Sequence, residues 1–320
     1  MSDKLHLLIP GAVLAPEASG PTPVSAPGLP VPLPPNLRAL LGLLEPGVTI
    51  LCDEDSPATP FELSLALAHG LPGEAGSIPW AAFDTATVGT PCAFVQLCHW
   101  QVGADHVMLS PPGDLALDPE TATVLLAAMA PYFEEDGIVL QPYGNVPGVW
   151  LATGEPLRGL RTISLDRLAG RRLTPALLDA AGSPDATLRR LQNEMQMLLY
   201  THPLTEERQR RGMLPVNSFW VTGAGLLDQP VARSPDVQVE AGLAMPAQRR
   251  DAAAHAQAWQ QVDAGPCAEL LALARRDGVA QLTLCGERAS KTFGPARNGA
   301  WSRFQNVLGL LRTADGLDQL

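Results

Sequence analysis

A chain of 320 residues, 46% hydrophobic and 17% charged, has enough length for one large or two ordinary domains and is too apolar to be disordered. Its formal charge of -11 argues against a non-specific nucleic-acid binder, because neutralising phosphates takes clustered Lys and Arg. Residues 1–9 lack the features of a signal peptide, no apolar run reaches the ~20 residues of a membrane span, and the five scattered cysteines do not form a secreted disulfide framework. A cytoplasmic location with reduced thiols and no membrane partner is expected.

Leu5–Ile9 is a short apolar start. Residues 16–35 hold eight prolines and read as an extended, polyproline-like connector. Asn36 is expected to cap a helix over 36–46, with Leu37, Leu40, Leu41 and Leu44 on one face. A second helix runs over 60–70, from Pro60 to a stop at Gly70. Cys92–Cys98 reads as a buried strand and Ala104–Leu109 as another. Asp118 then caps a helix with Pro119 at its first position and Thr123–Ala130 in its body. Ile138–Tyr143 and Gly148–Thr153 are short strands around a Gly/Pro/Asn turn.

Ser183-Pro-Asp opens an amphipathic helix whose apolar stripe is Leu188, Leu191, Met195 and Leu198. His202 lies one turn further along that stripe, and Pro203 is expected to end the helix. Ser218–Thr222 alternates as a strand, with Phe219 and Val221 opposing Trp220. Gln248–Asp263 and Cys267–Arg276 read as helices, Val279–Cys285 as a strand and Trp301–Leu311 as a final amphipathic helix. Short strands between helices, without regular β-α-β spacing, predict an α+β fold: a mixed small sheet with packed helices. Three parts are expected, a divergent N-terminal region 1–90, an α+β domain 91–230 and an α/β extension 231–320.

The chemistry concentrates in 202–225. Arg208, Arg210 and Arg211 precede Asn217 and a Gly223-Ala-Gly225 turn. Guanidinium forks match phosphate and carboxylate oxygens, and glycines let main-chain N–H groups approach an anion. The alternative reading is a solvated surface segment in which Glu206 and Glu207 pair the arginines. For His202, ligand support stands beside a packed histidine capping a helix C-terminus. Gly286-Glu-Arg-Ala-Ser290 is a lesser anion-loop candidate. Cys98-His99 and Asp105-His106 offer four donors but no second knuckle, so no metal site is expected. There is no nucleophile elbow, phosphate loop or His-Glu-x-x-His.

His202-Pro-Leu-Thr, Arg208, Gly212, Leu214-Pro-Val-Asn217, Trp220 and Gly223-Ala-Gly225 resemble a signature of archaeal-type, cofactor-independent phosphoglycerate mutases. Residues 118–153 resemble the helix-and-strand portion of that family's insertion domain, so the similarity spans about 95–228. Glu194-Met-Gln-Met-Leu-Leu-Tyr-Thr-His-Pro and Leu214-Pro-Val-Asn-Ser-Phe-Trp resemble an uncharacterised bacterial family of the RpfE regulatory type. The mutase resemblance implies a phosphotransfer enzyme using Mn, Mg or Zn. However, the six scattered histidines do not supply its metal ligands, no arginine lies in 110–118, and Thr205 stands where the signature has Asn.

The expectation is therefore a non-catalytic or regulatory protein without cofactor that binds a small anionic, phosphorylated metabolite or a protein partner. Arg208 and Arg211 would bind the anion, Asn217 would orient it, His202 would support the pocket, and Gly223 and Gly225 would line it. A mutase-like phosphotransfer enzyme is the alternative.

Overall fold

The computed structural model describes residues 3–14, 32–102, 107–168, 186–276 and 278–295. The expected helix over 301–311, the 183–185 helix start and most of the Pro-rich connector lie outside the described residues. Contacts divide the chain into two compact units. The first comprises Met1–Asp53, Thr59–His69 and Arg233–Leu320, the second Glu54–Ala58 and Gly70–Ala232. Both flanks of the sequence contribute to the first unit, and all of 91–230 falls in the second.

The first unit starts with β1 (Lys4–Pro10), α1 (Pro35–Leu43), β2 (Glu45–Leu51) and α2 (Pro60–His69). The second unit then runs α3 (Trp80–Thr85), β3 (Cys92–Cys98), β4 (Trp100–Val102), β5 (Val107–Leu109), α4 (Pro119–Glu135), β6 (Val139–Pro142) and β7 (Val149–Thr153). It continues with α5 (Leu165–Leu168), α6 (Ala186–Thr201), α7 (Pro203–Arg210) and β8 (Ser218–Gly225). The chain returns to the first unit with β9 (Val237–Val239), α8 (Ala244–Gln248), α9 (Ala252–Val262), α10 (Ala268–Arg275), β10 (Val279–Cys285) and β11 (Ala289–Gly294).

In the first unit the sheet order is β2-β11-β10-β1-β9. β1 pairs in parallel with β10 and β9, while β11 is antiparallel to β10 and β2. Leu7, Ile9, Leu282, Leu284 and Phe293 put one face of this sheet into a core with Leu37, Leu40, Trp259 and Leu270 of the helices. Alternation turns His6, Thr283, Ser290 and Thr292 to the other face, where Ser64 of α2 meets Ser290 at 2.6 Å.

Two expectations about α1 are corrected. The helix stops at Leu43 rather than 46, because Pro46 disfavours helical geometry in the residue before it and the chain turns extended at Leu44. Asn36 is not the N-cap. Pro35 takes the first position, where its missing N–H is no loss, and Pro34 in the cap position offers no side-chain acceptor. The exposed amides are met from far along the chain: Asp263 accepts from Leu37 N at 2.8 Å and from Asn36 N at 3.2 Å. Asp263 sits in one π-helical turn, Asp263–Cys267, which joins α9 to α10.

In the second unit the antiparallel order is β6-β7-β3-β8. Val95, Leu97, Trp150, Phe219 and Val221 pack beneath Leu125, Met129 and Phe133 of α4 and Leu188, Leu191 and Met195 of α6. Trp220 takes the opposite side, its indole donating to Ile163 O at 2.9 Å, as the alternation of this strand predicts. Asp118 caps α4, accepting from Thr121 N at 2.7 Å. The buried stripe of α6 ends at Leu199, with Leu198 only partly covered. The architecture is α+β.

Candidate functional site

The stretch from the end of α6 through β8 holds the six residues expected to form the ligand site. The amphipathic helix α6 ends at Thr201, just before His202-Pro203 as expected, and Pro203 also opens α7 at a position where its lost N–H costs nothing. His202 is consequently the N-cap of α7, its Nδ1 accepting from Leu204 N at 3.2 Å, rather than a residue one turn along the stripe of α6. Thr205 is buried and donates to Leu199 O at 2.6 Å, which locks the two helices together.

The arginines accordingly lie on and just after a helix. Arg208 is only 4% exposed. Its Nε donates to Leu214 O at 2.9 Å and its Nη2 to Leu115 O. Burial pushes its pKa down, an effect opposed by Asp118. Arg210 and Arg211 extend outward, where helical spacing brings both to Glu207, at 2.5 Å and 2.7 Å.

Asn217 serves a strand. Its Oδ1 accepts from Trp100 N at 2.8 Å and its Nδ2 donates to Trp100 O at 2.9 Å, so the side-chain amide imitates a strand partner for β4. The glycines lie inside β8 rather than in a turn after it. Gly223 has φ +62° where the register with β3 shifts, and a Cβ there would stand 2.9 Å from Trp80 Cβ. At Gly225 a Cβ would stand 2.6 Å from Pro79 Cβ. Both glycines let the start of α3 lie directly on the strand.

His202 Nδ1, Nε and Nη2 of Arg208 and both amide atoms of Asn217 thus meet the chain's own main chain, and Arg211 meets Glu207.

The remaining motifs resolve similarly. Cys98 is buried, accepts from the Trp100 indole at 3.1 Å, and burial pushes its thiol up to about 12. His99 Nδ1 bonds Pro215 O at 2.8 Å, and 105–106 lie outside the described residues. Gly286–Ser290 is the β10–β11 hairpin, closed by Gly286 N to Ala289 O at 2.9 Å. Among the described residues no group of three or more His, Cys, Asp or Glu is placed to hold a metal, and no helix is long and apolar enough to cross a membrane.

One polar cluster escaped the sequence reading. His6 Nε2 bonds Thr283 Oγ1 at 2.7 Å, and Thr283 bonds Thr292 Oγ1 at 2.8 Å. The only signal was a polar residue recurring every second position in two apolar strands. Their pairing across 277 residues could not be read from it.

No family model matches the chain, and no curated protein matches it. Solved structures that match include the PH0037 protein from Pyrococcus horikoshii, at 12% identity, TM-score 0.41, covering 92% of this chain and 88% of that one. A cofactor-independent phosphoglycerate mutase from Thermoplasma acidophilum matches at 13% identity and TM-score 0.31, covering 92% and 90%. Likenesses at this level assign neither activity nor residue roles to this chain.

Proposed function

We propose that this chain is a cytoplasmic, non-catalytic regulatory protein of the RpfE type that acts by binding a protein partner. The observation that carries the reading is the burial of Arg208 on the carbonyls of Leu115 and Leu214. A buried guanidinium donating to two main-chain carbonyls supports a framework role for Arg208. The contact surface in this reading is α6, where Met197 and Tyr200 stand 69% and 79% exposed one turn apart. Met and aromatic side chains are enriched at protein interfaces.

A second reading, a small phosphorylated metabolite as ligand, draws support from Arg210 and Arg211, whose side chains are 66% and 67% exposed around the single carboxylate of Glu207. The mutase-like alternative would require Mn, Mg or Zn, for which the described residues offer no donor cluster.

The test is affinity capture with the full chain, followed by titration of the captured protein in purified form. Met197→Ser with Tyr200→Ser is expected to weaken binding about tenfold or more. Undiminished affinity in that variant, at unchanged melting temperature, would remove α6 as the surface. Saturable binding of 3-phosphoglycerate would favour the second reading.

A further inference from the structure

The chain leaves the first unit after His69 and re-enters it at Arg233. At the point of return Ser234 N donates to His69 Nδ1 at 3.2 Å. Two residues on, Asp236 O accepts from His6 N at 2.7 Å. β9 then pairs through three residues with His6–Leu8, and Glu240 N closes the segment on Leu8 O at 2.9 Å. A three-residue edge strand is thus held at its start by one histidine side chain and by the main chain of another.

An imidazole nitrogen that accepts an N–H cannot also take a proton without losing that bond. His69 Nδ1 is such an acceptor. We propose that His69 and His6 form an acid-sensitive clasp, in which protonation frees Ser234 and lets β9 come away from the edge of β1. The His6 ring is already committed to Thr283, and burial, with His69 as a second cause, pulls its pKa down to about 4.

The charged side chains on the elements packed around the pair are Lys4 on β1, Glu45 on β2, Glu62 on α2, Lys291 on β11, and Arg233, Asp236 and Glu240 flanking β9. β10 adds only the Cys285 thiol. Of these residue types histidine alone ordinarily changes charge between pH 5 and 8. The sign follows from the acceptor role of His69: the closed clasp holds its Nδ1 without a proton, so it is engaged above the ordinary histidine range and weakens as pH falls below it.

Hydrogen exchange read by mass spectrometry on the full chain tests this, with rates corrected for the intrinsic pH dependence of exchange. Opening of the 232–240 segment is expected to rise roughly tenfold between about pH 7.5 and about pH 5.5, with 279–285 unchanged. His6→Gln combined with His69→Asn keeps a hydrogen-bonding atom at each site without a titrating ring, and should abolish the rise. Equal protection of 232–240 at both pH values in the unmodified chain would overturn the proposal without need of a variant. So would an acid-induced opening that persists at full size in the double variant.

Discussion

An arginine whose guanidinium spans two main-chain carbonyls stands or falls with the fold. Arg208→Ala would leave Leu115 O and Leu214 O without their donor in a buried place, a loss of about 2–3 kcal/mol to be read as a lower melting temperature. Arg211→Ala removes one exposed pair with Glu207 and should cost about 0.5 kcal/mol or less, visible in the same melt. The two residues looked equivalent in the sequence, where both belong to one basic cluster. What separates them is the carbonyl of Leu115, 93 residues away, and no local pattern announces it. Asn217 is a parallel case: its type suits ligand orientation, but its partner is the peptide of Trp100.

At the scale of elements, strong local chemistry was legible. Asp118-Pro119 caps α4 as its sequence requires, and the alternation of Ser218–Thr222 separates Phe219 and Val221 from Trp220. Elements set by distant partners were not. β9 acquires its place from β1, β11 from β10 and β2 from β11, and β9 has only three residues to signal itself. The capping of α1 by Asp263 belongs to the same class, since 226 residues separate donor and acceptor. Asp263→Ala should destabilise the first unit by about 1–2 kcal/mol, because two first-turn amides lose their acceptor. Thermal unfolding checks this, and a cost near zero would mean that water serves the helix end equally well.

For the molecule as a whole, acid is the sensitive direction. His6 and His255 both have pKa values lowered mainly by burial, so the folded state favours their neutral forms. The His6 contribution to stability is complete above the ordinary histidine value and declines as pH falls through it toward about 4, and His255 acts in the same direction. Chemical denaturation at a series of pH values should show a loss of roughly 2 kcal/mol across that interval, allowing for partial exposure of the His6 ring. Thiol reactivity gives a second global readout. All five cysteines are buried thiols, and burial pushes Cys92 up to about 11 and Cys98, Cys267 and Cys285 up to about 12. A disulfide reagent should therefore label none of the five in native protein and all of them in denaturant.

The claim on which this account turns is that the 202–225 segment is framework and not an anion pocket. Calorimetric titration of 3-phosphoglycerate into the full chain, with Mn present, meets it most directly. No saturable heat is the predicted result. Saturable binding in the unmodified chain, lost in a folded Arg208→Lys variant, would contradict it and return the arginine to the ligand.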